Sequence, residues 1–266
     1  MNKIKLGLSP CPNDTFIFYA MLHNKVNCEG LQFEPMFADV ESLNEKAFKG
    51  ELPVTKLSFH TWLYLQEKYS LLDSGAALGR GCGPLLIAKE VLSDEDLKTV
   101  TVAIPGKYTT AHLLLKLFYP FVQHKKEMVF SAIENSILTD EVKAGVIIHE
   151  NRFTYEAKGL KKICDLGERW EIETHSPIPL GGIFTSVTAG KDFHSTVDRI
   201  IKSSIEYAWK NQEETMQYVK QYSQEMDVTV MQQHIDLYVN DFSLSLGTVG
   251  MNAVEIMKRK FEAIPS

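Results

Sequence analysis

Two segments of this chain join a short apolar strand to a polar helix start, an arrangement suited to binding an anion. Residues 9–16, SPCPNDTF, follow the apolar run 4–8, and residues 109–115, TTAHLLL, follow the run 101–104 and a turn. Prolines restrict φ in both turns, and polar side chains can cap each helix while its first N–H groups face a ligand. An ordinary capped helix has the same pattern, but here it occurs twice at strand ends, where open α/β sheets bind ligands. We therefore expect two lobes facing one small ligand.

One histidine stands where it could transfer a proton. His149 ends the apolar run 144–148 and precedes the polar residues 150–152. A histidine has an unperturbed pKa of about 6.5 and can accept a proton near neutral pH. From the residues alone, a histidine at a strand end is more often a surface or capping residue, so both readings stay open.

Five motifs spread over most of the chain are specific as a set, although each is weak alone. They are SPCPNDTF at 9–16, TKLSFH at 55–60, GRGCGP at 79–84, TTAHLL at 109–114 and IIHE at 147–150. Together they resemble the 1,4-dihydroxy-6-naphthoate synthase family of the futalosine route of menaquinone biosynthesis. The resemblance implies a lyase that acts on cyclic dehypoxanthinylfutalosine. A carbon–carbon bond breaks, a sugar-derived fragment (dihydroxyacetone) leaves, and the remaining bicycle becomes aromatic.

The resemblance also implies roles for particular residues. His149 matches the family's proton acceptor. Substrate contact is implied for Lys56, Leu57 and Ser58, and for Thr109 and Thr110. Taken by itself, Lys56 could equally be a solvated strand end, and the two threonines could simply cap a helix.

The first helix start supplies the remaining candidates for substrate binding: Ser9, Asn13, Asp14 and Thr15. Asp14 is equivocal, because a carboxylate repels an anionic substrate unless it caps the helix or accepts a hydroxyl. Arg80 lies between two glycines, where it could bind a carboxylate through two hydrogen bonds or serve in structure between the lobes.

Composition limits the possible partners. The 266 residues are long enough for two domains, and 44% hydrophobic with 23% charged residues is typical of a globular protein. The net charge is −6 with scattered Lys and Arg, which argues against nucleic acid as a partner. No apolar run reaches the roughly 20 residues of a membrane-spanning helix, and a secretory signal is lacking, so we expect a cytoplasmic protein with a small anionic substrate. The sequence does not indicate an oligomeric state.

Neither a metal nor an organic cofactor is expected. The four cysteines, Cys11, Cys28, Cys82 and Cys164, include no C-x-x-C pair, and we interpret them as reduced thiols that pack in the protein. No His, Cys or carboxylate cluster has convincing metal-ligand spacing. Aromatisation would drive the implied reaction without a redox partner.

Strands and helices alternate along the first two thirds of the chain, and the last third is helical. The predicted strands include 53–58, 85–88, 128–131 and 144–148, and a helix is predicted over 133–143. Two crossings between lobes indicate a discontinuous first lobe, 1–88 and 183–266, around a continuous second lobe, 89–182. The fold class is therefore α/β, with the two-lobed periplasmic-binding-protein-like (type II) plan and a central cleft.

Three alternatives remain. Chorismate dehydratase of the same pathway resembles this fold and also eliminates without a cofactor. A solute-binding protein of an uptake system would share the lobes but needs an export signal. An effector-binding pair of lobes from a transcription factor would need a helix-turn-helix or a basic face.

Overall fold

Two mixed β-sheets form the framework of the protein. The computed structural model describes residues 3–223 and 227–264. The strands are β1 (Ile4–Leu8), β2 (Phe33–Phe37), β3 (Val54–Ser58), β4 (Tyr69–Leu71), β5 (Ala77–Gly79), β6 (Leu85–Ala88), β7 (Val102–Ile104), β8 (Lys125–Glu127), β9 (Ala144–Ile147), β10 (Lys161–Asp165) and β11 (Ile178–Ser186). The α-helices are α1 (Pro12–Leu22), α2 (Val40–Phe48), α3 (Phe59–Tyr64), α4 (Asp94–Thr99), α5 (Thr110–Phe118), α6 (Ile133–Leu138), α7 (Asn151–Thr154), α8 (Leu166–Thr174), α9 (Lys191–Lys210), α10 (Gln212–Tyr222), α11 (Val228–Tyr238), α12 (Asp241–Leu244) and α13 (Gly247–Glu262).

The order of the strands shows how the chain moves between the two lobes. The first sheet has the order β2-β1-β3-β11-β4, with β5 also paired to β11, and the second has the order β10-β6-β9-β7-β8. β1 is parallel to β2 and β3, whereas β11 runs antiparallel to its neighbours. The chain therefore leaves the first sheet after β5 and returns to it at β11.

Sheet pairing can be compared with the predicted lobe boundaries. Strand β6 falls within the stretch 1–88 of the predicted first lobe, yet it pairs with β9 and β10 in the second sheet. Strand β11 begins at Ile178, inside the stretch 89–182, and pairs in the first sheet. The boundaries at 88 and 183 stay a prediction, and the pairing puts both crossings a few residues earlier.

Two predicted elements in the second lobe are wrong. The strand expected at 128–131 is instead β8 at Lys125–Glu127, followed by a 3₁₀ turn at Phe130–Ala132. β8 is an exposed edge strand of charged residues, so no apolar alternation marks it. The helix expected over 133–143 ends at Leu138, because Asp140 adopts a positive φ of 62° and the chain turns into β9.

The central strands are largely apolar because both of their faces are buried in the core. β3, β6 and β9 are buried at every position, as strands covered on both faces must be. Helix α1 is buried from Pro12 to Met21 because α9, α10 and α11 pack around it, so it has no polar face. One apolar cluster includes Leu57 and Phe184 of the first sheet together with Leu86 and Val146 of the second. Among the described helices, none has the length and apolar character needed to cross a bilayer.

Candidate active site

A cleft with about 580 Å³ of empty space, which includes a part open to solvent, lies where strand ends and helix starts of the two lobes meet. Its lining residues are Asn13, Val40, Lys56, Ser58, Ala77, Cys82, Pro84, Thr109, Thr110, Ala111, Ile148, His149, Leu180, Gly181 and Tyr238. Both sheets contribute, through the end of β3 and the middle of β11 on one side and the end of β9 on the other. Three helices of at least nine residues, α1, α2 and α5, begin at the cleft, and the positive end of a helix favours an anion. The N–H groups of Glu41 and Ser42 at the start of α2 donate to the carboxylate of its N-cap Asp39, so α1 and α5 are the two starts without an acidic cap.

A buried ion pair forms part of the cleft wall. Lys56 Nζ lies 2.5 Å from Asp14 Oδ1, and Asp14 is fully buried. Asp14 also accepts hydrogen bonds from Ser9 N and Oγ, at 3.0 and 2.8 Å, and from Asn13 Nδ2 at 2.9 Å. The carboxylate oxygens therefore accept their hydrogen bonds from groups within the protein. It balances the charge of Lys56 and holds Ser9 and Asn13, and it does not line the cleft.

His149 lies two residues after the end of β9 and adopts the left-handed region, with a φ of 59°, where the chain turns into α7. Its ring contacts Phe130 edge to face, with centroids 4.9 Å apart, and lies parallel to His234, with centroids 6.1 Å apart. Within the described residues, His149 Nε2 is buried and has no hydrogen-bond partner. Burial lowers the pKa of His149 to about 4, with Asp14 raising it and Lys56 lowering it. The imidazole is therefore neutral near pH 7 and can accept a proton.

Two residues of α11 complete the site, and sequence reasoning missed them. His234 is fully buried and donates from Nε2 to Asn13 Oδ1 at 3.0 Å. Tyr238 lines the cleft and donates its hydroxyl to the carbonyl of Cys82 at 3.1 Å. A histidine and a tyrosine four residues apart share one face of a helix, which is the only signal the sequence offered.

The two threonines at the start of α5 are tied within the protein. Thr109 Oγ1 donates to Gly106 O at 2.8 Å and accepts from His112 N at 3.3 Å, so it is the N-cap of the helix. Thr110 Oγ1 donates to Leu180 O at 2.6 Å and so links the two lobes. Both threonines line the cleft. A ligand there can bind to the lone pairs of their hydroxyl oxygens and to N–H groups of the first helical turn.

Of the residues predicted to bind substrate, Asn13, Lys56, Ser58, Thr109 and Thr110 line the cleft together with His149. The others, Ser9, Asp14, Thr15 and Leu57, stand behind that wall. Thr15 Oγ1 donates to Cys11 O at 3.1 Å, and Leu57 lies in the apolar core. Their side chains are placed to support the lining residues.

Arg80 serves the contact between the lobes in this structure. Its guanidinium donates to His175 O at 3.0 Å and pairs with Glu171 Oε2 at 3.4 Å. In the same motif, a Cβ atom at Gly83 would lie 2.2 Å from Gly167 Cα, so the segment between β5 and β6 can approach α8 this closely only through glycine. The GRGCGP motif therefore joins the lobes at the first crossing.

Two cysteines, Cys82 and Cys11, have different surroundings. Cys82 lines the cleft, but burial raises its pKa to about 12, which leaves it a poor nucleophile. Cys11 lies with His149 and Glu150 in a group whose possible ligand atoms are all within 4.8 Å of one another. Sequence spacing could not show this group, because Cys11 is far along the chain from the other two.

The architecture and the cleft define a class of two-lobed binding folds. The chain superposes on the alkanesulfonate-binding protein SsuA of Xanthomonas axonopodis pv. citri with a TM-score of 0.70 and 13% identity, covering 99% of this chain and 94% of that one. This likeness shows the fold alone, and it confirms the predicted periplasmic-binding-protein-like fold.

Sequence comparison then narrows the class to one family. The family model described as menaquinone biosynthesis matches residues 4–263. A 1,4-dihydroxy-6-naphtoate synthase of Thermus thermophilus is 42% identical over 264 residues, with 99% of this chain and 95% of that protein covered. The enzyme of the same name from Streptomyces coelicolor is 40% identical, with 94% and 90% covered. A crystal structure of an Archaeoglobus fulgidus protein matches with a TM-score of 0.93 and 36% identity, covering 98% and 97% of the two chains. The chain belongs to the menaquinone biosynthesis family, and the predicted resemblance is confirmed.

Proposed function

We propose that this protein is a 1,4-dihydroxy-6-naphthoate synthase, a carbon–carbon lyase that converts cyclic dehypoxanthinylfutalosine and releases dihydroxyacetone. The observation that carries the proposal is full-length similarity, at 40–42% identity, to two enzymes of that name. The cleft supports it with a neutral histidine that faces a cation and two helix starts. These are the groups that an anionic substrate and a proton transfer require.

Substrate binding uses the positive features of the cleft. The ammonium of Lys56 and the N-terminal ends of α1 and α5 attract the carboxylate of the substrate. Asp14 lowers the net charge of this wall, so the attraction comes mainly from directed hydrogen bonds. Asn13 and Ser58 add polar atoms for the sugar-derived hydroxyls.

Catalysis centres on His149. The neutral imidazole takes a proton from the bound substrate, and the electron pair left behind drives cleavage of the carbon–carbon bond. Negative charge develops on a substrate oxygen, where preorganised N–H groups and Lys56 stabilise it. Departure of the sugar-derived fragment lets the bicycle become aromatic, which makes the step favourable and needs no electron acceptor. The apolar part of the lining, including Leu180 and Ile148, limits access of water to the reacting centre.

A single incubation distinguishes this function from its alternatives. The purified protein is incubated with cyclic dehypoxanthinylfutalosine and, separately, with chorismate, and products are identified by mass. We expect 1,4-dihydroxy-6-naphthoate and dihydroxyacetone from the first and no change in the second. Dehydration of chorismate would assign the other enzyme of the pathway. Tight binding of the first compound without turnover would instead assign a solute-binding role.

A further inference from the structure

Three residues with different metal-ligand groups meet beside the cleft. Cys11 is the N-cap residue of α1, and His149 and Glu150 follow β9 of the other sheet. One ligand atom from each, the thiol sulfur, a ring nitrogen and a carboxylate oxygen, can be chosen so that all lie within 4.8 Å of one another. Cys11 and Glu150 are buried, and His149 lines the cleft, so the group is reachable from the cleft through His149.

We propose that Cys11, His149 and Glu150 form an inhibitory site for Zn²⁺ or a similar thiophilic divalent ion. Cysteine, histidine and carboxylate are all regular zinc ligands, and three protein ligands with one open position form a usual zinc site. The thiolate and imidazole favour Zn²⁺ over hard cations such as Mg²⁺.

The charges of the group suit a divalent ion. Burial, with Glu150 adding to it, raises the pKa of the Cys11 thiol well above its usual value, so binding of the ion must release the thiol proton to solvent. The resulting thiolate and the carboxylate supply two negative charges against the two positive charges of the ion, and the neutral imidazole adds none. The neighbouring Lys56 and Asp14 are already paired with each other. The occupied site would therefore be neutral, which a buried position requires.

The required movement is small. In a tetrahedral site with Zn–S of about 2.3 Å and Zn–N of about 2.0 Å, ligand atoms lie roughly 3.5 Å apart. Ligand atoms that now lie within 4.8 Å of one another must therefore close by up to about 1.3 Å, which side-chain rotations at Cys11 and Glu150 can supply. Within the described residues, the ring nitrogen Nε2 of His149 is buried without a hydrogen-bond partner, so coordination through this nitrogen breaks no hydrogen bond.

Occupation of this site removes the proposed base. A metal-bound imidazole nitrogen has no lone pair for a proton, so the ion inhibits turnover and a chelator restores it. Metal binding itself does not depend on the proposed function, whereas inhibition does.

Direct binding tests the site without an activity assay. Metal-stripped protein is titrated with Co²⁺, and the charge-transfer absorption of a cobalt–thiolate bond is followed; Zn²⁺ affinity is then measured by competition. We expect one ion per chain, no binding of Mg²⁺ at the site, and loss of the thiolate band in Cys11→Ser. Loss of an outer-shell partner already weakens a site by about 10- to 100-fold, so Cys11→Ser should weaken Zn²⁺ binding at least about 100-fold.

The matched control is Cys28→Ser, which removes a half-buried thiol that does not line the cleft. It should bind Zn²⁺ as the wild type does. Equal Zn²⁺ affinity in Cys11→Ser and wild type, or an unchanged cobalt–thiolate band, would overturn the site. In a parallel turnover assay, each variant is compared with its own metal-free rate, and Cys11→Ser should need at least about 100-fold more Zn²⁺ for half inhibition. Zinc bound through Cys11 with turnover unchanged would overturn the inhibition.

Discussion

Lys56 Nζ and Asp14 Oδ1 are 2.5 Å apart inside the wall of the cleft, where Lys56 is only 7% exposed. A lysine so buried keeps its charge at low cost only with a partner of opposite charge. The pair joins the first helix to the end of β3. Asn13 also donates to Asp14 and accepts from His234, whose ring stacks on that of the candidate base His149. The ion pair therefore connects Lys56, the cation of the cleft, with the surroundings of His149, which is proposed to take a proton from the substrate.

Removal of one partner tests that link. Asp14→Asn leaves a buried ammonium without its counter-charge, and we expect a loss of about 3–5 kcal/mol in the free energy of unfolding. The measurement is urea denaturation followed by circular dichroism. The double variant Asp14→Asn with Lys56→Met removes both charges and should regain part of the loss. Wild-type stability in the single variant would show that the pair is not needed.

His149→Asn tests the base. Asparagine tolerates the positive φ at this position, so the backbone can be retained. Loss of a positioned general base should lower kcat by about 10²-fold or more, while substrate affinity, measured directly, changes much less. His175→Asn is the matched control, because His175 also has a positive φ and is exposed away from the cleft. A near-wild-type rate in folded His149→Asn would exclude His149 as the base.

Gly181→Ala tests how closely Lys56 must fit. A Cβ atom at Gly181 would lie 3.0 Å from both Lys56 Cε and Leu57 O, so the added methyl displaces the lysine side chain. Overpacking of this kind costs about 1–3 kcal/mol, and we expect KM to rise by about tenfold with a smaller change in kcat.

The neighbouring glycine provides the control. Gly182 points to the opposite face of β11, where a Cβ atom would lie 2.8 Å from Leu71 Cδ1 in the core. Gly182→Ala should therefore lower stability without the same rise in KM. Equal KM effects in the two variants would argue against a role for the position of Lys56 in binding.

His60 should make the protein less stable in acid. Its Nδ1 lies 3.0 Å from Thr109 O across the two lobes, and burial, with His112 and Lys116 adding to it, lowers its pKa to about 3. The unfolded chain has a histidine pKa of about 6.5 and binds more protons between these values, so stability falls as pH drops below 6.5. From pH 7 to 5 this histidine alone should cost about 2 kcal/mol.

The comparison that isolates this effect uses His60→Asn, whose amide replaces the Nδ1 donor but does not titrate. Other histidines with lowered pKa, His112, His149 and His234, remain in both proteins and act in the same direction. Urea unfolding at pH 7 and pH 5 should show a smaller acid loss in the variant. An identical loss would mean that His60 is not a buried neutral histidine.

Chelation should not lower turnover of the cofactor-free reaction. The proposed chemistry uses His149, Lys56 and helix N–H groups, so exhaustive treatment with a chelator, with no nicotinamide, flavin or pyridoxal compound added, should give the full rate. The assay compares treated and untreated enzyme at saturating substrate. A rate lost in chelator and restored by one particular metal would show that the reaction needs that metal.

Much of the site was accessible from local patterns in the sequence. A strand end followed by helix-capping residues marks a turn whatever the rest of the chain does, because caps and φ restrictions act over a few residues. The segments around Asn13 and Thr109 were found in this way. Those around Lys56 and His149 are strand ends that the family motifs singled out, and all four residues line one cleft. The five motifs also indicated the family, because they are specific as a set.

The tertiary structure alone decided which atoms meet. Whether Asp14 faces a ligand or Lys56, whether Arg80 binds a carboxylate or Glu171, and whether Cys11 lies near His149 depend on contacts between residues far apart in the chain. In the sequence, His234 and Tyr238 are ordinary positions of a C-terminal helix. Their place at the site follows only from the packing of that helix against α1. Helical periodicity reports which face of a helix is buried, but it carries no information about the partner, and at a cleft between two lobes the partner determines the chemistry.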